Sequence, residues 1–346
     1  MNVVRKRGEV IRKFILDNLE NAPEDIVRLT ANNFDCTRQA VHKHLQRLVE
    51  EGAISAHRKG RKKTYTIVPL VTWNNRYPID HKVTEGTVWL KDISLFFKKL
   101  PENVRDIWHY SFTEMFNNAI EHSGGTSIAV SLTKTASSTE IVIFDNGVGI
   151  FNKIQSALNL TDKRHAVLEL AKGKFTTDPD NHSGEGIFFS SRMFDDFQIS
   201  SDDVHYYHRF KRPEDWIFQE GKSEAGTKVR MKLSNHTSRT TKQVFDEYTT
   251  GENYGFTKTV IPVMLMKYGD DNLVSRSQAK RLLAGFDRFK IVILDFLKIS
   301  SIGQSFADEI FRVFKRNHPE IELNFVNACE DVEKMIRRAL IFETGS

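Results

Sequence analysis

Four short motifs in the middle of the chain restrict the possible folds more than any other feature. The first lies in a predicted helix, where Glu114, Asn118 and His122 recur every four residues and therefore share one face. Phe112 and Phe116 fall on the neighbouring apolar face, so the three polar residues border a buried core rather than open solvent. A carboxylate and an amide in such a position suit hydrated Mg²⁺, which takes few protein oxygens and keeps several waters.

The second motif, DNGVG, follows two alternating segments that are predicted strands, 127–134 and 139–144. The carboxylate of Asp145 can accept a hydrogen bond from an exocyclic amine. Gly147 and Gly149 allow the backbone to approach a flat ring closely. The motif alone is equally compatible with a hairpin turn.

The third and fourth motifs, SGEG and GT, lie at the start of a predicted helix and a predicted strand. A segment predicted to be irregular, 151–182, leads to Gly184 and Gly186 at the helix start. Backbone N–H groups and the positive end of the helix dipole bind anions at such a position. Thr227 precedes the strand. Each motif alone is weak evidence, and their order favours a nucleotide site.

Together these motifs resemble the GHKL family of ATP-binding domains, which includes those of gyrase, Hsp90, histidine kinases and MutL. The form ExxxNAxxH, which starts at Glu114, is most similar to the anti-sigma-factor serine kinases of that family. The resemblance covers about residues 90–235. It implies a Bergerat-type α/β sandwich that binds ATP and Mg²⁺.

The resemblance also implies the roles of single residues. The implied ATP-binding residues are Asn118, which would also hold the Mg²⁺, Asp145, Gly147, Gly149, Gly184, Gly186 and Thr227. Glu114 is the implied catalytic residue, a general base that takes a proton from water or from a serine hydroxyl. The alternative is that Glu114 only orients Asn118 or a metal-bound water. We expect a structural role for His122 and a solvated side chain, or a contact with phosphate, for Lys174.

The first seventy residues carry the positive charge of the chain. They hold 14 Lys and Arg against 8 Asp and Glu, a net charge of +6, whereas the whole chain has +5. Such a local excess suggests a polyanionic partner. Apolar periodicity predicts three helices, of which the third spans residues 38–51 with Thr37 as its N-cap, and then a hairpin with the tip RKGRKK.

This order of elements resembles the winged helix-turn-helix family of bacterial regulators over about residues 5–70. In that geometry the third helix enters the major groove and the cations of the wing lie on phosphates. The resemblance implies that the DNA-binding residues are Arg38, Gln39, His42 and Lys43 in the helix and Arg58, Lys59, Arg61, Lys62 and Lys63 in the wing. The alternative is a winged helix that makes protein contacts or a dimer.

Strands alternate with helices near the C-terminus, which predicts an α/β layer fold. The predicted elements are an apolar strand-like run at 257–268, a helix at 275–286, a strand at 291–296, a helix at 306–314, a strand at 323–326 and a helix at 332–340. The sequence VILDFLKISSIGQSFADEIFRVF resembles the STAS-like family, relatives of the anti-sigma-factor antagonists. By that resemblance Ser305 is a phosphorylation site, although the usual Ser-Ser-Gly is absent, and the alternative is a plain N-cap.

The sequence therefore predicts a multidomain α+β protein. The predicted regions are a winged helix-turn-helix at 1–70, a connector at 71–90, a GHKL ATP-binding domain at 91–235, a linker at 236–254 and a STAS-like domain at 255–346. No run of about 18 apolar residues is present, and basic residues interrupt the N-terminal segment, so we expect neither a membrane span nor a signal peptide. Two distant cysteines, Cys36 and Cys329, fit a reducing cytoplasm.

The function we expect is that of a cytoplasmic, ATP-binding and DNA-binding regulator in which nucleotide binding or hydrolysis controls conformation. A protein partner through the STAS-like domain and a homodimer are further expectations. One alternative is a serine/threonine kinase of the anti-sigma type, acting on its own STAS-like domain or on a partner. Another alternative is an ATPase clamp like MutL or Hsp90.

Overall fold

The computed structural model describes residues 2–59, 62–176, 183–210, 212–250, 255–267 and 272–341. The chain divides into two compact units. One unit comprises residues 1–75, 130–142 and 232–237, and the other comprises residues 76–129, 143–231 and 238–346. In the part of the chain that is described, no helix has the length and apolar character needed to cross a membrane.

Three helices and a hairpin begin the first unit. They are α1 (Asn2–Leu19), α2 (Ile26–Phe34), α3 (Arg38–Glu50), β1 (Ile54–Lys59) and β2 (Lys62–Ile67). Ile15, Val41 and Leu45 are fully buried in the core that the three helices share. The predicted cap of α3 is confirmed, because the Thr37 hydroxyl accepts a hydrogen bond from the Ala40 N–H at 3.2 Å.

The central sheet has five strands in the order β3-β4-β5-β7-β6. The strands are β3 (Val71–Pro78), β4 (Ser127–Lys134), β5 (Ser138–Asp145), β6 (Asp196–Arg209) and β7 (Arg212–Ser234). The predicted strands β4 and β5 are confirmed, and the strand predicted after Thr227 lies within β7, which already includes Thr227. In contrast, β3 lies in the segment predicted as a connector. Most of its side chains are exposed or half-buried, as suits an edge strand, so the alternation that reveals a strand is weak.

The helix of the first motif, α5 (Glu102–His122), supplies much of the core beside the sheet. Its Trp108, Phe112 and Phe116 are fully buried, and it packs against α8 (Gly186–Met193). A short helix α4 (Glu85–Val88), a π-helical turn at Trp89–Ile93 and a 3₁₀ turn at Ser94–Phe96 precede it. One long side of α5 is therefore fixed by packing.

The segment predicted to be irregular contains two helices, so that prediction was wrong. They are α6 (Ile150–Ala157) and α7 (Arg164–Lys172). Both are short, and neither has an N-cap side-chain hydrogen bond. The helix α7 is stabilised by burial of an apolar run that includes Val167 and Leu168. Burial of this kind depends on the rest of the fold and leaves no local signal of a helix in the sequence.

The predicted linker also contains a helix, α9 (Thr241–Tyr248). A capping box starts it, since the Thr240 hydroxyl accepts from the Gln243 N–H at 3.1 Å and the side-chain Oε1 of Gln243 accepts from the Thr240 N–H at 3.0 Å. The Phe245 ring packs against the rings of Tyr110 and Phe189. This part of the linker is thus docked.

The C-terminal region is built on three parallel strands in the order β10-β9-β8. Its elements are β8 (Lys258–Pro262), α10 (Arg276–Leu283), β9 (Ile291–Asp295), α11 (Gln304–Asp308), a π-helical continuation (Glu309–Phe314), α12 (Lys315–Asn317), β10 (Glu322–Val326) and α13 (Glu330–Ile341). The predicted alternation of strands and helices is confirmed. Ser305 is not the N-cap of α11, because Gly303 occupies that position and Ser305 lies exposed in the first turn.

Candidate nucleotide-binding site

A cavity of about 280 Å³ in the second unit brings the four sequence motifs together. The predicted residues that line it are Glu114, Asn118, His122, Asp145, Gly184, Gly186 and Thr227. Ile143, Ile154, Leu170 and Val229 supply apolar parts of the wall. A concave apolar wall with a few converging polar groups is typical of sites for small organic ligands.

Asp145 places a buried carboxylate on the wall of this cavity. The residue is 4% exposed, and its Oδ1 accepts from the N–H groups of Gly147 at 2.9 Å and Thr227 at 3.2 Å. Burial raises the pKa of Asp145, whereas the two N–H groups act in the opposite direction. The Thr227 hydroxyl accepts from the Ile150 N–H at 3.0 Å, which ties the fourth motif to the second.

The loop after β5 packs closely against the residues that follow α5, 123–126. Gly147 and Gly149 lie in this loop rather than on the cavity wall. A Cβ atom at Gly147 would be 2.1 Å from the Ser123 carbonyl oxygen, so only glycine fits there. The Asn146 Oδ1 accepts from the Thr126 N–H at 2.8 Å. These glycines therefore act on the site by fixing the position of Asp145.

Glu114 lies against the first residue of α8. A Cβ atom at Gly186 would be 2.0 Å from the Glu114 Oε2. A Cβ atom at Gly184 would be 2.4 Å from the Phe175 carbonyl oxygen, and its φ is +70°. The close approach to backbone requires glycine at position 184, whereas a side chain at position 186 would displace the end of the Glu114 side chain. The arrangement brings a carboxylate to the N-terminus of a helix.

The donor set at this end of the cavity fits Mg²⁺. Glu114 and Asn118 offer carboxylate and amide oxygens from adjacent turns of α5. Within the described ranges no three His, Cys, Asp or Glu side chains are grouped to hold a metal ion. Mg²⁺ commonly keeps several waters and binds through one or two protein oxygens together with phosphate oxygens. Asn118 would hold the cation in that manner, and Glu114 would take the proton of a water or orient a metal-bound water.

Three titratable residues were not identified from the sequence: Glu185 and Lys153 line the cavity, and Tyr110 lies one helical turn before Glu114. Burial raises the pKa of the Tyr110 hydroxyl, and the carboxylates of Glu114 and Glu185 act in the same direction. Burial raises the pKa of Glu185. The Lys153 ammonium lines the cavity and donates to the His122 carbonyl oxygen at 2.9 Å. Tyr110 could have been found, since it precedes Glu114 by one helical turn.

Lys174 makes contacts that the sequence did not predict. Its ammonium donates to the Arg288 carbonyl oxygen at 3.1 Å and lies 5.5 Å and 5.3 Å from the ring centroids of Phe256 and Phe289. Burial lowers the pKa of Lys174. This lysine therefore contacts the C-terminal region, and it is half-buried.

The N-terminal helices present a second candidate surface, in the first unit. One face of α3 is buried, and the opposite face exposes four predicted residues, Arg38, Gln39, His42 and Lys43. Arg58 and Lys63 are directly opposite each other in the hairpin, and both are exposed. Arg61 lies outside the described residues, as do the side chains of Lys59 and Lys62.

Comparison with known families identifies two regions of the chain. Residues 84–206 match the histidine kinase-like ATPase domain family. Residues 278–333 match the family described as a STAS-like domain of unknown function (DUF4325). No curated protein matches the chain. The central region is thus a histidine kinase-like ATPase domain, and the C-terminal region is STAS-like.

Proposed function

We propose that the protein is a DNA-binding regulator in which ATP at the central cavity sets the affinity for DNA or for a protein partner. The observation that carries the nucleotide part is the convergence of all four motifs on one cavity beside a buried, backbone-positioned Asp145. The match of the central region to histidine kinase-like ATPase domains supports the same reading.

Each end of the cavity has its own role in this proposal. Asp145 accepts the exocyclic amine of adenine, and Thr227 holds that carboxylate in place. Gly184 and Gly186 allow the phosphates to approach the N-terminus of α8, where backbone N–H groups favour negative charge. Asn118 holds the Mg²⁺ that accompanies the phosphates.

The DNA part of the proposal is supported by the charge and exposure of α3 and the hairpin. A helix with one buried and one exposed face, capped at its start, can place its early residues at base edges in the major groove. Arg38, Gln39, His42 and Lys43 are the residues proposed to do so. Arg58, Lys59, Arg61, Lys62 and Lys63 are proposed to bind phosphates, which adds affinity without sequence information.

The test is the dissociation constant for duplex DNA measured with no nucleotide, with ADP and with a non-hydrolysable ATP analogue. Mixed-sequence DNA at low salt is the first probe, because phosphate contacts dominate affinity there. We expect a nucleotide-dependent change of about five-fold or more, the usual size of an allosteric coupling. Equal dissociation constants in all three states would refute the coupling.

A second candidate function is chemical use of ATP, either hydrolysis or transfer to a serine. The position of Glu114 at the N-terminus of α8 favours it, because a general base must lie near the terminal phosphate. Ser305 is exposed in the first turn of a helix, where a phosphate would be stabilised by the helix dipole. Incubation with γ-labelled ATP separates the two, since hydrolysis releases labelled phosphate and transfer labels the protein.

A further inference from the structure

The cavity wall includes a short segment that is held from outside the ATPase region. Residues 173–176, here called the wall segment, follow α7, and two of them, Phe175 and Thr176, line the cavity. The last residue of α7, Lys172, has a side chain that is 2% exposed. A buried ammonium is costly unless hydrogen bonds and a counter-charge satisfy it, so its partners show what it does.

The partners of Lys172 belong mostly to the C-terminal region. Its ammonium donates to the carbonyl oxygens of Arg281 at 3.1 Å and Ala284 at 2.9 Å, at the end of α10. A cation is stabilised at a helix C-terminus, where the last carbonyl groups lack partners within the helix. The carboxylate of Glu169 on α7 lies 2.7 Å from the ammonium and supplies the counter-charge.

The backbone of Lys172 is held by the same region. Its carbonyl oxygen accepts a hydrogen bond at 2.8 Å from the hydroxyl of Thr259, a fully buried residue of β8. Both ends of Lys172 are therefore attached to C-terminal elements. This double attachment fixes where α7 ends and where the wall segment begins.

The wall segment makes further contacts with the C-terminal region. The Arg288 guanidinium donates to the Lys174 carbonyl oxygen at 2.9 Å, and Lys174 donates back to the Arg288 carbonyl oxygen. A Cβ atom at Gly173 would lie 2.6 Å from the Phe256 ring. The same ring lies 4.5 Å from the Phe188 ring of α8, so both helices that flank the wall segment contact the C-terminal region.

We propose that the C-terminal region is a structural part of the nucleotide site and that Lys172 is its positioning residue. By fixing the wall segment against the cavity, it sets nucleotide affinity without touching the nucleotide. The inference rests on the proposed function, namely that this cavity binds ATP. Coupling of two sites is reciprocal, so nucleotide must in turn stabilise the contact between α7 and α10.

The first test compares Lys172→Met with Lys280→Met in the full-length chain. Lys280 is a mostly exposed lysine of α10 and serves as the matched control. The probe is a fluorescent ATP analogue with Mg²⁺, and the readouts are its dissociation constant and its dissociation rate. We expect Lys172→Met to weaken binding by about five-fold or more through faster dissociation, and Lys280→Met to bind as the wild type does.

A second variant is needed because Lys172→Met leaves the Glu169 carboxylate buried without its partner, which costs stability. Thr259→Val removes only the hydroxyl that donates to the Lys172 carbonyl oxygen and keeps the shape of the side chain. We expect it to weaken nucleotide binding by about two- to ten-fold, the range that a neutral hydrogen bond supports.

The decisive readout is hydrogen exchange of α10 and β8 with and without nucleotide. In the wild type we expect nucleotide to slow exchange there, and in Lys172→Met we expect that difference to vanish. A merely structural lysine would speed exchange equally in both states and leave the difference intact, which would overturn the inference.

Absence of ATP binding by the wild type would instead refute the proposed function. Wild-type binding with unchanged affinity in both variants would refute only the role of Lys172.

Discussion

At the scale of single residues, the site depends on a carboxylate that the fold buries at a cost. Asp145→Asn keeps an acceptor oxygen for the N–H groups of Gly147 and Thr227 but cannot attract the adenine amine with a charge. We expect ATP affinity to fall about 10- to 100-fold, the effect of losing a hydrogen bond to a charged group. We expect no loss of melting temperature, because the neutral amide avoids the cost of burying a charge.

The control for this substitution is Asp287→Asn, which neutralises an exposed carboxylate in the C-terminal region. Calorimetric titration gives the affinity, and thermal unfolding gives the stability. Equal affinity of Asp145→Asn and the wild type would contradict the assignment of this residue to adenine. A large drop in melting temperature would instead show that the charge stabilises the loop.

The pH dependence of binding follows from the same residue. Burial raises the pKa of Asp145 in the folded state above the usual 3.8. Folding therefore favours the protonated carboxyl group, and the free energy of unfolding that this proton contributes grows as the pH falls towards 3.8. Adenine needs the ionised form, so binding weakens as the pH falls through the raised pKa. ADP affinity measured over pH 7 to 4 in the wild type and in Asp145→Asn isolates this effect, since the phosphate titration is common to both. Parallel profiles would disprove it.

The sequence predicted those site residues whose spacing or neighbours reveal a chemical role. Glu114 and Asn118 follow a helical period beside an apolar face, and Asp145 precedes glycines at a strand end. Lys172 could not be predicted, because a lysine at the end of a helix is ordinarily solvated. Its burial depends on α10, more than a hundred residues later in the chain.

At the scale of elements, the start of α8 is a meeting point of two motifs. Gly186→Ala would place a methyl group 2.0 Å from the Glu114 Oε2 and force that carboxylate to move. The stability should change little, because alanine favours a helix by about 1 kcal/mol relative to glycine and a carboxylate end can rotate away. MgATP affinity and any phosphate release should fall about ten-fold or more, in the range of a lost charged interaction.

Gly86→Ala is the matched control for this element. Gly86 is also helical, and a Cβ atom there would have no heavy atom within 4 Å. Nucleotide binding in that variant should equal that of the wild type. If Gly186→Ala binds MgATP normally, Glu114 has no defined position at the phosphates and its proposed role fails.

The second element with a testable role is α3, together with the hairpin that follows it. Removing a phosphate contact by Lys63→Ala should reduce the salt dependence of log affinity by about one unit of slope, equally for all DNA sequences. Removing a base contact by Arg38→Ala should cost about 1–3 kcal/mol on a preferred sequence and little on mixed DNA. An Arg38→Ala loss that is equal on preferred and mixed DNA, or a Lys63→Ala loss that differs between them, would contradict the assigned roles.

Elements were predicted well where local signals and packing agree. The helix α3 has a side-chain cap and an apolar stripe, and α10 has a capping box at Ser275. The strand β3 and the helices α6 and α7 were missed, because an edge strand and short helices without an N-cap side-chain hydrogen bond take their definition from neighbours rather than from local pattern. The helix α9 was also missed, although its capping box is a local signal that could have revealed it.

At the scale of the whole molecule, the chain joins a histidine kinase-like ATPase domain to a STAS-like domain, with a basic segment at its start. This combination leaves three fates for bound ATP, namely transfer, hydrolysis and sensing. Incubation with γ-labelled ATP and Mg²⁺ separates them by where the label is found. Hydrolysis is expected to need Glu114, and transfer to the STAS-like domain is expected to need Ser305. Substitution of each residue therefore identifies the reaction.

We expect the label to remain in bound, intact ATP, because the proposed regulator needs only occupancy of the cavity to change affinity for DNA. Label in free phosphate that disappears in Glu114→Ala would make the protein an ATPase with Glu114 as its general base. Label on the protein that disappears in Ser305→Ala would make it a kinase that acts on its own STAS-like domain. Ser301→Ala is the control, since Ser301 is an exposed serine of the same segment. Label on the protein in both serine variants would place the acceptor elsewhere and exclude Ser305.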